Sequence, residues 1–258
     1  MSSRSTATVP DAECDPILRR YALRRLRLPL GRSSLSLVVP DARDWVRRGE
    51  WADATLRGAE PPYWVQIWPA SVAVARLLWR VGNLSGSRVL DLGCGLGVPG
   101  VAAASVGAVV TLADREVDAL AFAKWNATKV AAAHDVTVCQ LDWGADTVPG
   151  AFDIVVLADV SYRPVHHLAL ERHLKACLAT DGVVVHADPE RREATPFVKW
   201  LQSHYCTVTK TKDTSFMDKR VGVRLCIASR SEAVLQRWHA ALRSGPQSLS
   251  PSASDRVE

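Results

Sequence analysis

From Arg88 onward, apolar runs of strand character alternate with stretches of helical periodicity, and this alternation narrows the possible architectures more than any other feature of the chain. The segments are Arg88 to Leu92 then Pro99 to Val106; Val109 to Ala113 then Val117 to Val130; Val136 to Leu141; Phe152 to Ala158 then Val165 to Leu178; and Val183 to Ala187 then Thr195 to Tyr205. Strands separated by helices predict an α/β domain, a mostly parallel sheet with helices on both faces, because parallel neighbours need a crossover element. Thr207 to Lys212 and Val221 to Ala228 are strand-like with a short loop between them, so a terminal antiparallel hairpin is expected. Ser231 to Leu242 reads as a last helix, and the Ser/Pro-rich stretch Ser244 to Glu258 as a disordered tail.

Residues 1–60 read as an N-terminal extension, residues 61–243 as the main domain and residues 244–258 as the tail. In the extension, apolar residues from Asp15 to Leu28 recur at helical spacing among Arg19, Arg20, Arg24, Arg25 and Arg27, which fit a solvated helix face. Ser34 to Val39 then alternates like a short strand, and Asp41 is placed to cap a helix through Arg48. Pro61 and Pro62 break the pattern, and Pro69 suits the first turn of a helix ending near Val81. At 258 residues and 48% hydrophobic content the chain can bury a sizeable core. The longest apolar stretch, Val101 to Ala113, falls short of the roughly 20 residues of a membrane span. Met1 to Pro10 lacks the apolar region of a secretory signal. Six scattered cysteines suggest neither a zinc site nor a disulfide framework, so a soluble, cytoplasmic protein without membrane contact or metal is expected.

The segment Val89-Leu90-Asp91-Leu92-Gly93-Cys94-Gly95-Leu96-Gly97 is a strand that ends in glycines and enters a helix. Glycines let the backbone approach a ligand closely, Cys94 contributing only its main chain. A dinucleotide fingerprint would carry a glycine where Val98 stands. Asp91, two residues before the first glycine, would repel a pyrophosphate but suits the cationic ammonium of S-adenosylmethionine. At the end of the next strand Asp114 is placed to accept both ribose hydroxyls. Asp142 can accept from the adenine amino group and Trp143 can cover the adenine face, although each alone also reads as a turn aspartate or a core-edge tryptophan. Three acidic side chains at three successive strand ends are hard to obtain by chance.

Strand four ends in Ala158-Asp159-Val160-Ser161-Tyr162. With Trp64-Val65-Gln66-Ile67-Trp68-Pro69 before the core, the Asp91 to Gly97 loop, Asp114-Arg115, Leu141-Asp142-Trp143-Gly144 and the D-x-x-Y tetrad Asp159 to Tyr162, the chain resembles the seven-strand protein-lysine methyltransferases often grouped as family 16. The resemblance runs from about Pro61 to Ala228. It implies a Rossmann-like class I methyltransferase fold with a seven-stranded, mostly parallel sheet. It also implies S-adenosylmethionine as cofactor, lined by Trp68, the loop glycines Gly93, Gly95 and Gly97, Asp114, Trp143 and Ala158, with Arg115 beside them, and an acceptor amine held by Asp159 and Tyr162. His186-Ala187-Asp188-Pro189 followed by Arg191 is similar to the G-D-P-G-R stretch of the flavoprotein-directed branch, without its glycines.

Methyl transfer to an activated sulfonium asks mainly for alignment and exclusion of water, so Asp159 is expected to orient the amine and help take its proton, and Tyr162 to wall the channel or offer a hydroxyl. His166 and His167 are expected to open a helix and meet solvent, and Trp64 to be a core residue. The expected partner is a protein substrate presenting a lysine. A small-molecule acceptor would use the same cofactor residues; a nucleic-acid acceptor is disfavoured because Val160-Ser161 lacks the prolines of N/D-P-P-Y/F, and a silent cofactor-binding module is the remaining reading.

Overall fold

The computed structural model describes residues 15–47, 49, 56–57, 61–132, 135–216 and 219–243. The Ser244 to Glu258 stretch and the start of the chain lie outside the described residues.

The first described strands are β1 (Leu23–Pro29) and β2 (Ser34–Pro40), an antiparallel pair preceded by a 3-10 turn at Leu18–Arg20 and followed by the short helix α1 (Ala42–Arg47). The helix expected between Asp15 and Leu28 is therefore absent: a turn and the 3-10 segment lead into a strand that begins at Leu23. Leu26 and Leu28 stand opposite Leu37 and Leu35, so cross-strand pairing and burial of Leu28, Leu35 and Leu37 override a leucine spacing that suits both periods. These leucines join the same core as the helices that follow, and Arg20 and Tyr21 both bond Asp118.

The remaining elements are α2 (Pro69–Val81), β3 (Arg88–Leu92), α3 (Val98–Ala104), β4 (Val109–Asp114), α4 (Val117–Ala127), β5 (Val136–Gln140), β6 (Phe152–Ala158), α5 (His167–Cys177), β7 (Leu178–Asp188), α6 (Thr195–His204), β8 (Cys206–Phe216), β9 (Lys219–Ser229) and α7 (Glu232–Arg243). The sheet has seven strands in the order β5-β4-β3-β6-β7-β9-β8, with β9 antiparallel to both its neighbours. This is the expected α/β architecture with its terminal hairpin.

Strands buried on both faces must be apolar on both. Along β6, Ile154 and Val156 enter the core under α2, α3, α4 and α7, whereas Val155 and Leu157 enter the one under α5 and α6. From β3 the chain winds outward through β4 to β5, then returns to β6 beside β3 and winds the other way. The carboxyl ends of β3 and β6 thus form the point where the crossovers diverge, the place where such sheets open a crevice. Among the described residues, no helix is long and apolar enough to cross a membrane.

Candidate active site

A cleft opens at this divergence point, lined by the loop after β3, the ends of β4 and β6, the segment after β5, and the residues leading into α2. The backbone of its floor is set by glycine. Gly93, Gly95 and Gly97 have φ of +72°, +52° and +75°, a left-handed region costly for any residue with a Cβ. Gly97 has a second reason: a Cβ there would lie 2.7 Å from the Cβ of Ala123, so it lets α3 approach α4.

Asp91 is 1% exposed, and its Oδ2 accepts the Gly100 N–H at 2.9 Å, tying β3 to α3. Burial pushes its carboxyl up to about 7, with the Gly100 hydrogen bond opposing and the nearby Asp114 adding to the rise. Asp114 accepts the Gly95 N–H at 2.8 Å on Oδ2 and the Glu116 N–H at 3.0 Å on Oδ1. Burial raises its acid range too, and those two amides oppose it. Two desolvated carboxylates facing one cleft leave it short of positive charge, a complement to a cationic ligand rather than a phosphate.

Each residue expected at the cofactor lines this cleft except Gly97, which shapes the loop from behind. Trp68 donates Nε1–H to the Tyr63 carbonyl at 2.9 Å, which fixes its ring at the entrance to α2. Asp142 uses Oδ1 to accept the Gly144 N–H at 2.8 Å, so the turn it shapes presents Trp143. Arg115 pairs its guanidinium with Glu116. Trp64 packs on Phe122 and Tyr21, as a core residue does, and also lines the cleft.

At the end of β6, Asp159 and Tyr162 line the same cleft. Asp159 is 8% exposed and has φ of +58°, one of two described non-glycine residues with positive φ. Its N–H donates to the Ala187 carbonyl at 2.8 Å. Arg191 donates to both carboxylate oxygens, Nε to Oδ1 at 2.8 Å and Nη2 to Oδ2 at 2.9 Å. Each carboxylate oxygen thus carries a charge-assisted hydrogen bond, which fixes the plane of the group and compensates its charge. Tyr162 meets Tyr63 edge-on with ring centroids 5.9 Å apart.

The two histidines open α5 as expected, His166 as its cap and His167 as its first residue, but they do not both meet solvent. His166 lines the cleft with its ring 5.6 Å from that of Trp143, because a 3-10 turn at Pro164–His166 carries it inward. His167 is buried and bonds the Ser161 carbonyl through Nε2 at 2.9 Å. Ser161 also bonds His186 through its hydroxyl at 2.7 Å, and burial pulls His186 down to about 4, so that imidazole is neutral. Sequence reasoning gave no role to Tyr63, whose aromatic neighbours come from Trp68 and from the distant Tyr162.

Comparison with known proteins agrees with this geometry. An electron transfer flavoprotein beta subunit lysine methyltransferase of Danio rerio is 32% identical over 164 residues, covering 62% of this chain and 60% of the relative. A histone-arginine methyltransferase of Rattus norvegicus, METTL23, is 33% identical over 130 residues, covering 45% of this chain and 57% of the relative. This chain thus matches about three fifths of the length of those relatives. Among solved structures, magnesium protoporphyrin IX methyltransferase of Synechocystis with bound S-adenosylmethionine superposes with a TM-score of 0.52 at 22% identity, covering 74% of this chain and 98% of that one, which shows a shared fold. A family model described as lysine methyltransferase matches residues 63–204, more than half of the sequence, and the chain belongs to that family.

Proposed function

We propose that this chain transfers a methyl group from S-adenosylmethionine to the side-chain amine of a lysine in a protein. The observation that carries the reading is that Asp91 and Asp114, at the ends of β3 and β4, share one cleft with Asp159 and Tyr162 at the end of β6. Asp91 suits the cofactor's ammonium, Asp114 its ribose, and Trp143, with the Asp142 carboxylate, its adenine. The cofactor supplies a methyl group already activated by a sulfonium. The chain's own residues then have two tasks, to aim the amine and to keep water out.

A lysine in water keeps its proton up to about pH 10.4, so presenting the free amine at neutral pH costs about 4–5 kcal/mol. Aromatic rings of Tyr63, Trp68 and Tyr162 around the cleft desolvate an incoming amine and disfavour its charged form. Arg191 compensates the charge of Asp159, so the amine gains less from keeping its proton there. The five described cysteines are free thiols, which fits a reducing, cytoplasmic setting.

The test uses tritiated S-adenosylmethionine, the purified chain and a lysate of cells lacking it, followed by mass spectrometry of labelled bands. The reading requires methyl label on lysine in a protein. Label confined to small molecules overturns it. Label on arginine favours the second reading, which draws on the likeness to the histone-arginine methyltransferase.

A further inference from the structure

Behind the cleft, positive and negative side chains alternate along a short path that starts on the antiparallel strand and ends at Asp159. Arg224 of β9 stands opposite Asp188 of β7 and grips it with two bonds of 2.9 Å, Nε to Oδ2 and Nη2 to Oδ1. Asp188 is fully buried, so no water competes for this fork. The same Oδ1 accepts the backbone N–H of Arg191 at 2.8 Å. On the other side, the Arg191 carbonyl accepts from Arg224 Nη2 and from Thr195 Oγ1, each at 3.3 Å. Both polar groups of the Arg191 main chain are therefore fixed before its side chain reaches Asp159.

Asp159 lines the cleft and Arg191 does not, so the guanidinium, 35% exposed, holds the carboxylate without occupying the cleft. The left-handed backbone at Asp159 limits where its side chain can point, and a planar fork on both oxygens fixes the plane of the carboxylate as well. A lone carboxylate this buried would be poorly tolerated without a partner. The adjacent Ser161, pinned by His186 and His167, keeps the following residues from drifting.

We propose that Arg191, anchored by Asp188 and Arg224, is a positioning residue for methyl transfer, fixing the direction and compensating the charge of the Asp159 carboxylate that receives the acceptor amine. The inference rests on the reading of Asp159 given above. It makes the terminal hairpin, through Arg224, part of the machinery rather than a cap on the sheet.

The experiment compares wild type, Arg191→Met, Asp159→Asn and the double variant. S-adenosylhomocysteine affinity is read by calorimetry, folding by thermal unfolding, and rate by tritium incorporation into the lysate proteins described above. Arg191→Met should bind S-adenosylhomocysteine within about two-fold of wild type while incorporation falls about 10- to 100-fold. In the Asp159→Asn background the same change should cost no more than about two-fold further, because a residue that acts through another is silent once that one is disabled. Arg191→Lys, which keeps the charge without the fork, should recover part of the rate and remains readable if the Met variant folds poorly. Added guanidinium should partly restore Arg191→Ala.

Wild-type incorporation by Arg191→Met, an undiminished loss in the Asp159→Asn background, or loss of cofactor affinity in parallel with rate each overturns the inference. If Asp159→Asn is impaired and Arg191→Met is not, only the positioning role fails. If Asp159→Asn itself runs at the wild-type rate, the reading of the acceptor site fails and takes this inference with it.

Discussion

Asn126 and Val38 exchange two hydrogen bonds, Val38 N–H to Oδ1 at 2.7 Å and Nδ2–H to the Val38 carbonyl at 3.0 Å, so a helix side chain completes the backbone pairing on the free side of β2. Asn126 is 1% exposed, so bulk water does not reach these groups while the side chain is in place. Asn126→Ala strands two buried main-chain groups and should lower stability by about 2 kcal/mol or more. Urea unfolding monitored by tryptophan fluorescence checks this; an unchanged midpoint would mean that the two-stranded unit is not coupled to α4.

Cofactor affinity should depend on pH through Asp91. Its carboxyl sits at about 7 in the fold against 3.8 ordinarily, chiefly because of burial. A raised folded value means that its contribution to stability is fully present below about pH 4 and is lost as pH rises through about 7. A bound ammonium favours the ionised form, so binding should release a proton, and S-adenosylhomocysteine affinity should rise several-fold between about pH 6 and pH 8. Calorimetry in buffers of different ionisation enthalpy measures the proton directly. Asp91→Asn should flatten the dependence.

Asp114 holds two loop amides as well as facing the proposed ribose site. Asp114→Ala should therefore weaken S-adenosylhomocysteine binding by about ten-fold or more, on the basis of about 1.5–3 kcal/mol per charge-assisted bond, and also lower the melting temperature by a few degrees. Asp114→Asn, which keeps one acceptor oxygen, should lose less of both. A folded Ala variant with unchanged affinity would place the ribose elsewhere.

With Asp159 receiving the acceptor amine as proposed, Asp159→Asn should spare S-adenosylhomocysteine affinity and sharply reduce turnover, because a contribution of that kind is realised on the way to the transition state. Tyr162→Phe separates two roles for the ring. A small effect on single-turnover rate identifies a channel wall, and an effect as large as that of Asp159→Asn identifies a hydroxyl that holds the amine.

Local requirements were the legible ones. The Gly93 to Gly97 loop and the acids at 91 and 114 could be read because backbone conformation and charge act within a few residues. The strand at Leu23–Pro29 could not: Leu23, Leu26 and Leu30 satisfy helical spacing while Leu26, Leu28 and Leu30 satisfy alternation, and only pairing with β2 decides. The grip of Arg191 on Asp159 was equally hidden, since it spans 32 positions of sequence and depends on the β7–β9 register that aligns Asp188 with Arg224. The inward turn of His166 depends on where the chain leaves β6, which periodicity does not report.

Gly93 carries a consequence for altering this protein's selectivity. A Cβ there would come within 2.6 Å of Val160 and 2.8 Å of Trp143, so one hydrogen atom separates the floor of the cleft from the tetrad on one side and the Trp143 ring on the other. The three segments share a single contact point. Any redesign that enlarges Val160 or re-aims Trp143 will press on the glycine that shapes the floor of the cleft, so a change made for the proposed acceptor will also be felt at the proposed cofactor site.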